Sequence, residues 1–367
     1  MTENWFRGNL HTHTSEPPAS DVFTSARDVV AWYRDHGYDF VVITDHEHVT
    51  DVAPLDSSPE GMLVISGQEV TQGLLDPDHP HGVRQAHVNA IGSTRVVLPL
   101  GYPELPDDLD AVWRATPAGG REELFARRPD IAELFAGHPV GGVTMAEAYR
   151  RNLDAVRAAG GLPQINHPNL HWSVREGDLA DLDGPYLMEI GNAFWAAGNL
   201  GGRDGDDVAP STEALWDALL TRGASVWGTA GDDGHDYVNF DDPDAPTPGK
   251  AWVMVRAAAK TRDAILDALR TGRFYATTGV TLAEYDATPD AIRLRVAQRP
   301  GWDGARFPGL GRFRTRFIGG GGRLLAEVHG GEAEYRIRGD EGYVRAVVTD
   351  ADGRTAWMQP ELLENRP

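Results

Sequence analysis

Phe6-Arg7-Gly8-Asn9-Leu10-His11-Thr12-His13 is a short strand pattern that runs straight into two histidines two places apart. Side chains at i and i+2 leave a strand on the same side, so His11 and His13 can reach one metal ion. The same arrangement recurs down the chain. Strands are predicted at Phe6–His11, Phe40–Thr44, Leu63–Gly67, Ala86–Gly92, Leu162–Asn166, Tyr186–Gly191 and Ser225–Thr229. Between the first two, Ala26, Val29, Val30 and Tyr33 have the i, i+3, i+4, i+7 spacing of a helix face. Met145, Ala148, Tyr149, Leu153 and Val156 mark a second helix, opened by the capping box Thr144/Glu147. Leu215 and Leu219 mark a third, entered from Pro210-Ser211. Strands alternating with helices are the signature of βα units around a mainly parallel sheet. The fold class is therefore α/β, with a barrel expected over about residues 1–280.

Two regions break the rhythm. Residues from about Ser93 to Gly142 are rich in Pro, Gly and charge, with one helix expected near Glu122–Phe135, and read as an insertion over one end of the barrel. From about Thr281 short strands and turns such as Gly319–Gly322 and Asp352-Gly353 predict a small β-rich domain over 281–367. The acidic run Arg203-Asp204-Gly205-Asp206-Asp207 lacks the spacing of an EF-hand loop.

Composition narrows the chemistry. With 367 residues and 41% hydrophobic content the chain can bury a large core. It has no cysteine, so any metal is held by histidine and carboxylate. A formal charge of −21 repels a nucleic-acid duplex, while a small phosphorylated molecule remains open because bound metal reverses the sign locally. Met1–Leu10 does not read as a signal peptide and no run approaches the roughly 18 apolar residues of a membrane span. A cytoplasmic protein with a small-molecule substrate is expected; oligomeric state is not legible.

Six motifs stand at predicted strand ends: His11-Thr12-His13, Thr44-Asp45-His46, Gly67-Gln68-Glu69, His87 in Ala86-His87-Val88-Asn89, Asn166-His167-Pro168 and Asp233-Gly234-His235. The C-terminal strand ends of a parallel barrel gather catalytic groups from distant parts of a chain. A lone buried histidine is more often a satisfied core residue than a ligand; the order and placement of the whole set argue for a metal cluster.

That succession resembles the PHP (polymerase and histidinol phosphatase) family. Within it, Gly8 to Thr14, Trp32-Tyr33, Gly37-Tyr38-Asp39-Phe40, Glu189-Ile190-Gly191-Asn192, Gly272-Arg273-Phe274-Tyr275, Tyr343-Val344-Arg345 and Ala356-Trp357 resemble the carbaryl-hydrolase-like (CehA/McbA) branch. The resemblance implies a distorted, TIM-like (β/α)7 barrel and two or three divalent ions, commonly zinc, manganese or iron. It implies that His11, His13, Glu69 and Asp233 hold one ion. Glu69 then bridges to a second ion held by His87 and His167, while His46 and His235 hold a third. Relatives place Ser-Asp-Gly directly after the histidine pair. Here Ser15-Glu16-Pro17-Pro18-Ala19 displaces Ser20-Asp21, and Val22 replaces the glycine, so Asp21 is the expected carboxylate of the third ion with Glu16 as rival.

Two metals about 3.5–4 Å apart share a water, lower its pKa to roughly 7 and take up charge from phosphoryl oxygens. The expected activity is a metal-dependent phosphoesterase using a bridging hydroxide, with Glu69, Asp233 and His235 as catalytic candidates. The same centre suits a carbamate, ester or amide, and a non-catalytic metal-binding module is the reading from another class. Asp45 is expected either to orient a ligand histidine or to serve a turn. His48, His171 and Arg273 are candidate substrate contacts, and Trp172 and Trp195 either line a pocket or pack. His36, His79, His81 and His138 read as surface residues, and His329 belongs to the terminal segment.

Overall fold

The computed structural model describes residues 4–17, 20–55, 61–103, 106, 112, 121–133, 138–204, 207–297 and 312–363. The chain is a mixed α/β protein, richer in sheet than in helix. Strands β1 (Asn4–Asn9), β2 (Phe40–Ile43) and β3 (Leu63–Ser66) pair in parallel. Then β4 (Glu69–Leu75) and β5 (Val83–Ile91) form an antiparallel hairpin, and β5 is also antiparallel to β6 (Leu162–Ile165). Parallel pairing resumes from β6 to β7 (Tyr186–Asn192). Past the small hairpin β8 (Gly202–Asp204) and β9 (Asp207–Ala209), it continues from β7 to β10 (Val226–Gly231). Gly205 and Asp206 of the acidic run lie outside the described residues.

The expectation of a mainly parallel sheet is corrected at β4–β6. A parallel return needs a dozen or more residues of crossover, but only residues 76–82 separate β4 from β5. The chain therefore doubles back, and His87 stands within β5 rather than at its end.

β11 (Trp252–Ala257) and β12 (Phe274–Thr277) add antiparallel strands beyond β1. The remaining strands are β13 (Leu282–Thr288), β14 (Ala291–Val296), β15 (Phe313–Gly319), β16 (Arg323–His329), β17 (Glu332–Arg336), β18 (Tyr343–Asp350), β19 (Thr355–Met358) and β20 (Glu361–Leu362). β13, β14 and β17 make a separate sheet, whereas β16-β15-β18-β19 continue the large sheet past β12, in the order β16-β15-β18-β19-β12-β11-β1-β2-β3. The five-stranded sheet has the order β10-β7-β6-β5-β4. Isolated parallel bridges, Thr12 to Gly234 and His46 to Glu69, tie these two sheets together just beyond their strand ends.

The helices are anchored as their patterns require. Ser25 caps Ala26–Asp35 by accepting from the Asp28 N–H, and Val29, Val30 and Tyr33 are buried against β2 and β3. The Thr144/Glu147 capping box is formed, and Met145–Ala158 packs with Thr212–Thr221 on the outer face of the five-stranded sheet. Between the two sheets, Leu10, Phe40, Val42, Ile65, Ile91, Leu162 and Leu187 meet Ile265, Leu266 and Leu269 of the helix Arg262–Arg270. In the insertion the expected helix is two short ones, Arg121–Arg127 and Pro129–Glu133. Its two ends run along β4, where Gln68 pairs with the Val97 backbone and Val140 with Gly73 and Leu75. It thus covers the open edge of β4, which would otherwise expose unpaired backbone groups.

Arg345 of β18 is fully buried and joins the terminal strands to the helix Thr212–Thr221. Its guanidinium donates to both carboxylate oxygens of Asp217 at 2.7 Å and to Glu213 at 3.0 Å, while Tyr343 donates to Asp217 at 2.6 Å. Among the described residues no helix is long and apolar enough to cross a membrane.

Candidate metal centre

The two sheets meet at a rim where every motif histidine is found. Glu69, at the first position of β4 and 1% exposed, is the centre of the group. Its Oε2 lies 3.3 Å from His11 Nε2, 3.4 Å from His13 Nε2 and 3.3 Å from His46 Nδ1. Its Oε1 lies 3.1 Å from His87 Nδ1 and 3.2 Å from His167 Nε2, and accepts from the Asn166 amide at 2.8 Å. One carboxylate thus faces two separate sets of imidazoles. Asp233 closes the first set, with Oδ1 3.2 Å from both His11 Nε2 and His13 Nε2. Donor atoms converge in three groups: His11, His13, Glu69 and Asp233; Glu69, His87 and His167; and His13, His46 and His235.

Electrostatics favour cations here. Burial works against charge on Glu69 and Asp233, yet the surrounding imidazoles, His11 foremost, hold both carboxyls well below their usual range. Burial also opposes charge on His11, but Asp233, Glu189 and Glu69 outweigh it and raise its imidazole well above the ordinary value. His13 goes the other way. Burial, then the imidazoles of His235 and His46, push it down to about 3. It is neutral at neutral pH, and both its ring nitrogens are buried without a hydrogen-bond partner. Buried polar atoms are seldom left so, and a lone pair aimed between two carboxylates fits a metal ligand. Histidine and carboxylate donors suit zinc, manganese or iron.

The third group differs from the expected one. His13 belongs to it, its ring centroid 4.5 Å from His46 and 4.3 Å from His235. Asp21 stands at the rim with Oδ2 3.5 Å from His235 Nε2 and its side chain 61% exposed. Burial raises its carboxyl, but His235, His46 and His13 bring it below the usual value. Its rival Glu16 accepts from the Ala26 N–H at the start of the first helix.

A surrounding layer fixes these groups. Glu189, inside the fully buried β7, accepts from the His167 N–H at 2.8 Å and the Asn192 amide at 2.8 Å, and lies 2.9 Å from His11 Nδ1. It therefore sets the ring of a ligand in the first group and the backbone of one in the second. Gly231 is required beside it, since a Cβ there would lie 2.8 Å from Glu189 Oε1. Sequence reasoning gave Glu189 no role; the available signal was a lone carboxylate in a strand buried on both faces. Gln85 Oε1 meets His87 Nε2 at 3.1 Å, and Thr71 Oγ1 meets His46 Nδ1 at 2.8 Å. Asp45 takes the turn role: it accepts from the Thr14 N–H at 2.6 Å and from the hydroxyls of Thr14 and Thr50, and burial pushes its carboxyl up to about 7. Asp232, also missed, accepts backbone N–H groups from Gly249, Lys250 and Ala251 and the Asn9 amide.

Among the described residues, the non-glycine positions with positive φ are Glu47, His167, His171, Trp172 and Asp233. His167 and Asp233 lie in the motifs, Glu47 follows one directly, and His171 and Trp172 lie in the loop after Asn166-His167-Pro168. Such conformations cost about 1–3 kcal/mol each and persist where surrounding contacts enforce them.

Three candidate contacts are placed differently from one another. His48 is half-buried in the loop after His46 and belongs to none of the three donor groups. His171 is exposed in the loop after His167 and also belongs to none of the three donor groups. Arg273 is at the wrong end of the molecule: it precedes Phe274, which is level with Val255 and through it with Phe6, at the opposite end of β1 from His11. Its guanidinium is 2.6 Å from Asp267. Two other expectations change. His79 is buried, not superficial, and Trp172 packs over Gly198 and Gly202 while Trp195 is exposed. His329 pairs with Glu327.

No family model matches the chain, and no curated protein matches it. Solved structures with a related course include a two-domain protein from Bacteroides vulgatus containing a predicted PHP-like metal-dependent phosphoesterase. It has 11% identity and a TM-score of 0.43 over 97% of this chain and 95% of that one. A candidate metal-dependent phosphoesterase from Bifidobacterium adolescentis has 18% identity and a TM-score of 0.38 over 72% and 94%. The lesion-specific endonuclease Q of Pyrococcus furiosus has 12% identity and a TM-score of 0.36 over 74% and 56%. The superpositions are loose.

Proposed function

We propose that this chain is a metal-dependent hydrolase of the PHP type, in its carbaryl-hydrolase-like branch, acting on a small phosphoester. The observation that carries the proposal is the division of Glu69, whose Oε2 faces His11, His13 and His46 while Oε1 faces His87 and His167. A carboxylate so divided is the natural bridge between two cations. On this reading His11, His13, Glu69 and Asp233 hold one ion, and Glu69, His87 and His167 a second. His46 and His235, with His13 beside them and Asp21 at the rim, hold a third. The hydrolase unit is residues 1–280, a TIM-like barrel closed through the Thr12–Gly234 and His46–Glu69 bridges, with 281–367 added to it.

Divalent ions bound there supply a water of lowered pKa and withdraw charge from phosphoryl oxygens. The chain's own residues do the rest. Glu189 keeps His11 and His167 aimed, and Asn166 holds the Oε1 edge of Glu69 in place. Asp233 and His235, joined by a ring-to-backbone contact of 2.7 Å, form the wall nearest the open rim. His46 and His235 are partly exposed there where His11 and His13 are not, and so face an incoming substrate.

The test is a screen of the metal-loaded protein against p-nitrophenyl phosphate, bis(p-nitrophenyl) phosphate, p-nitrophenyl acetate and an aryl carbamate. Phosphoester turnover that is lost with chelator and restored by metal is expected. Turnover of the acetate or carbamate alone would replace this reading with a carbonyl hydrolase.

A further inference from the structure

Outside the metal cluster a second group of imidazoles stands on the same side of the molecule, past the strand ends, where Leu75 pairs with Val83 beyond the level at which Val88 pairs with Ile165. His79 and His81 come from the turn between β4 and β5, and His171 from the loop after Asn166-His167-Pro168. The ring centroids of His79 and His81 are 5.6 Å apart, and those of His81 and His171 4.6 Å apart.

The three do different work. His79 is 6% exposed and both its ring nitrogens are engaged. Nδ1 accepts from the His81 N–H at 3.3 Å, so Nε2 carries the proton and donates to the His171 carbonyl at 2.7 Å. His79 is thus a strut that fixes the backbone of both neighbours. His81 and His171 are exposed, and no hydrogen bond engages their ring nitrogens among the described residues.

The loop that carries His171 is built under strain. His171 and Trp172 are consecutive non-glycine residues at φ 51° and 56°. This conformation turns the Trp172 ring inward, where a Cβ on Gly202 would come within 2.8 Å of it, and leaves His171 facing outward. Both ends of the loop are tied: the Asn169 amide donates to the carbonyls of Gly198 and Pro210, and the Ser173 carbonyl accepts from Arg84. A purely superficial histidine needs none of this.

The surroundings decide what the pair can hold. Burial lowers the His171 imidazole, and the other influences on it are imidazoles, His81, His79 and His167, with no carboxylate among them. In the same turn Asp76 is occupied by the Asp78 N–H. Among the described residues no third metal donor converges with His81 and His171, since all three donor groups lie in the main cluster. With no carboxylate acting on His171 and no hydrogen bond on either ring among the described residues, the two imidazoles can turn their ring N–H groups toward an anion.

We propose that His81 and His171, positioned by His79, form an anion subsite that takes a distal carboxylate or phosphate of the substrate. The proposal rests on the hydrolase reading, and it narrows the substrate to a small phosphoester bearing a second anionic group.

The experiment compares ethyl phosphate, phosphoglycolate and ethylene glycol bisphosphate, which differ in having no distal anion, a carboxylate or a phosphate. His81→Ala and His171→Asn are the variants, asparagine being chosen because it tolerates positive φ. In the metal-loaded enzyme each should raise KM about tenfold for the substrates with a distal anion, the loss expected of a charge-assisted hydrogen bond. KM for ethyl phosphate, kcat and metal content should stay at wild-type values. Which of the two tailed substrates responds more identifies the distal group. Equal effects on all three substrates, or no effect, would overturn the subsite. If the wild type turns over no phosphoester, the hydrolase reading fails on its own, and calorimetry with phosphoglycolate decides the subsite. Binding weakened about tenfold in both variants supports it; unchanged binding, or none in the wild type, overturns it.

Discussion

Replacing Glu69 by glutamine changes one atom and one charge at the point where the two imidazole sets meet. The structure dictates how the amide must turn. An NH2 in the Oε1 position would face the Asn166 amide, a second donor, across 2.8 Å. The NH2 therefore takes the Oε2 position, among His11, His13 and His46 at 3.3–3.4 Å. On the proposed reading the first ion would lose a charged donor outright, and the second would keep a neutral carbonyl oxygen. Disturbing even an outer partner of a metal ligand costs 10–100-fold in affinity. Loss of a shared carboxylate should cost at least about 100-fold, or about 2.7 kcal/mol, for the first ion. Competition against a chelator with elemental analysis reads this directly, and circular dichroism checks that the fold persists. Turnover should vanish. Wild-type metal content and a near-normal rate in Glu69→Gln would show that the centre is not built around that bridge.

Other perturbations separate the parts of the molecule. Glu189→Gln should weaken both principal ions by about 10–100-fold, since Glu189 supports a residue in each donor group; unchanged chelator competition would refute its positioning role. Asp21→Asn should leave two ions bound per chain by elemental analysis, and loss of both would move Asp21 into the main cluster. Arg345→Ala leaves Asp217 buried without its partner and should cost about 3–5 kcal/mol in urea unfolding; a change below about 1 kcal/mol would mean that the strut is dispensable. Glu213 gives a pH signature. Burial raises its carboxyl, but Arg345, Trp357 and Arg316 hold it below the ordinary glutamate value. Because the folded value is the lower one, its stabilisation is present at neutral pH and lost as pH falls through that depressed value. Glu213→Gln should therefore differ most from wild type in thermal stability near neutrality and converge with it in acid.

The legible parts of this chain are those written in local signals. The strands from Phe40, Leu63, Leu162 and Tyr186, the helix face from Ala26, and the helix starts at Thr144 and Ser211 are placed by short apolar runs, helical spacing and capping, all short-range. β4 was not among the expected strands, and the reversed direction of β5 was not legible, because it depends on how few residues join the two rather than on their composition. For the same reason His87 was expected at a strand end and stands inside one. Arg273 sits in a plausible motif, but which end of a sheet a loop occupies is decided by register with strands far away in sequence. His79 looked superficial in a turn of Asp, Pro and Gly; its burial comes from the loop of His171, some ninety positions later, with |i−j| = 92 for their bond. Glu189 was hidden because a carboxylate in an apolar run has no meaning until its partners, His11 and His167, are placed around it.

The order of strands in the five-stranded sheet, β4, β5, β6, β7 and β10 from one edge to the other, is also their order of synthesis. As the chain leaves the ribosome at about 5–20 residues per second, each new strand finds its neighbour already made. Glu69, His87 and His167 are all present once β6 has emerged, whereas the donor set of His11, His13 and Glu69 waits for Asp233, beyond β10. The large sheet waits longer still, since β1 must keep its edge open until β11 arrives. A nascent chain thus completes the group Glu69, His87 and His167 well before the group that needs Asp233, and if both hold metal as proposed, the ion met first during translation has the first opportunity to occupy the centre.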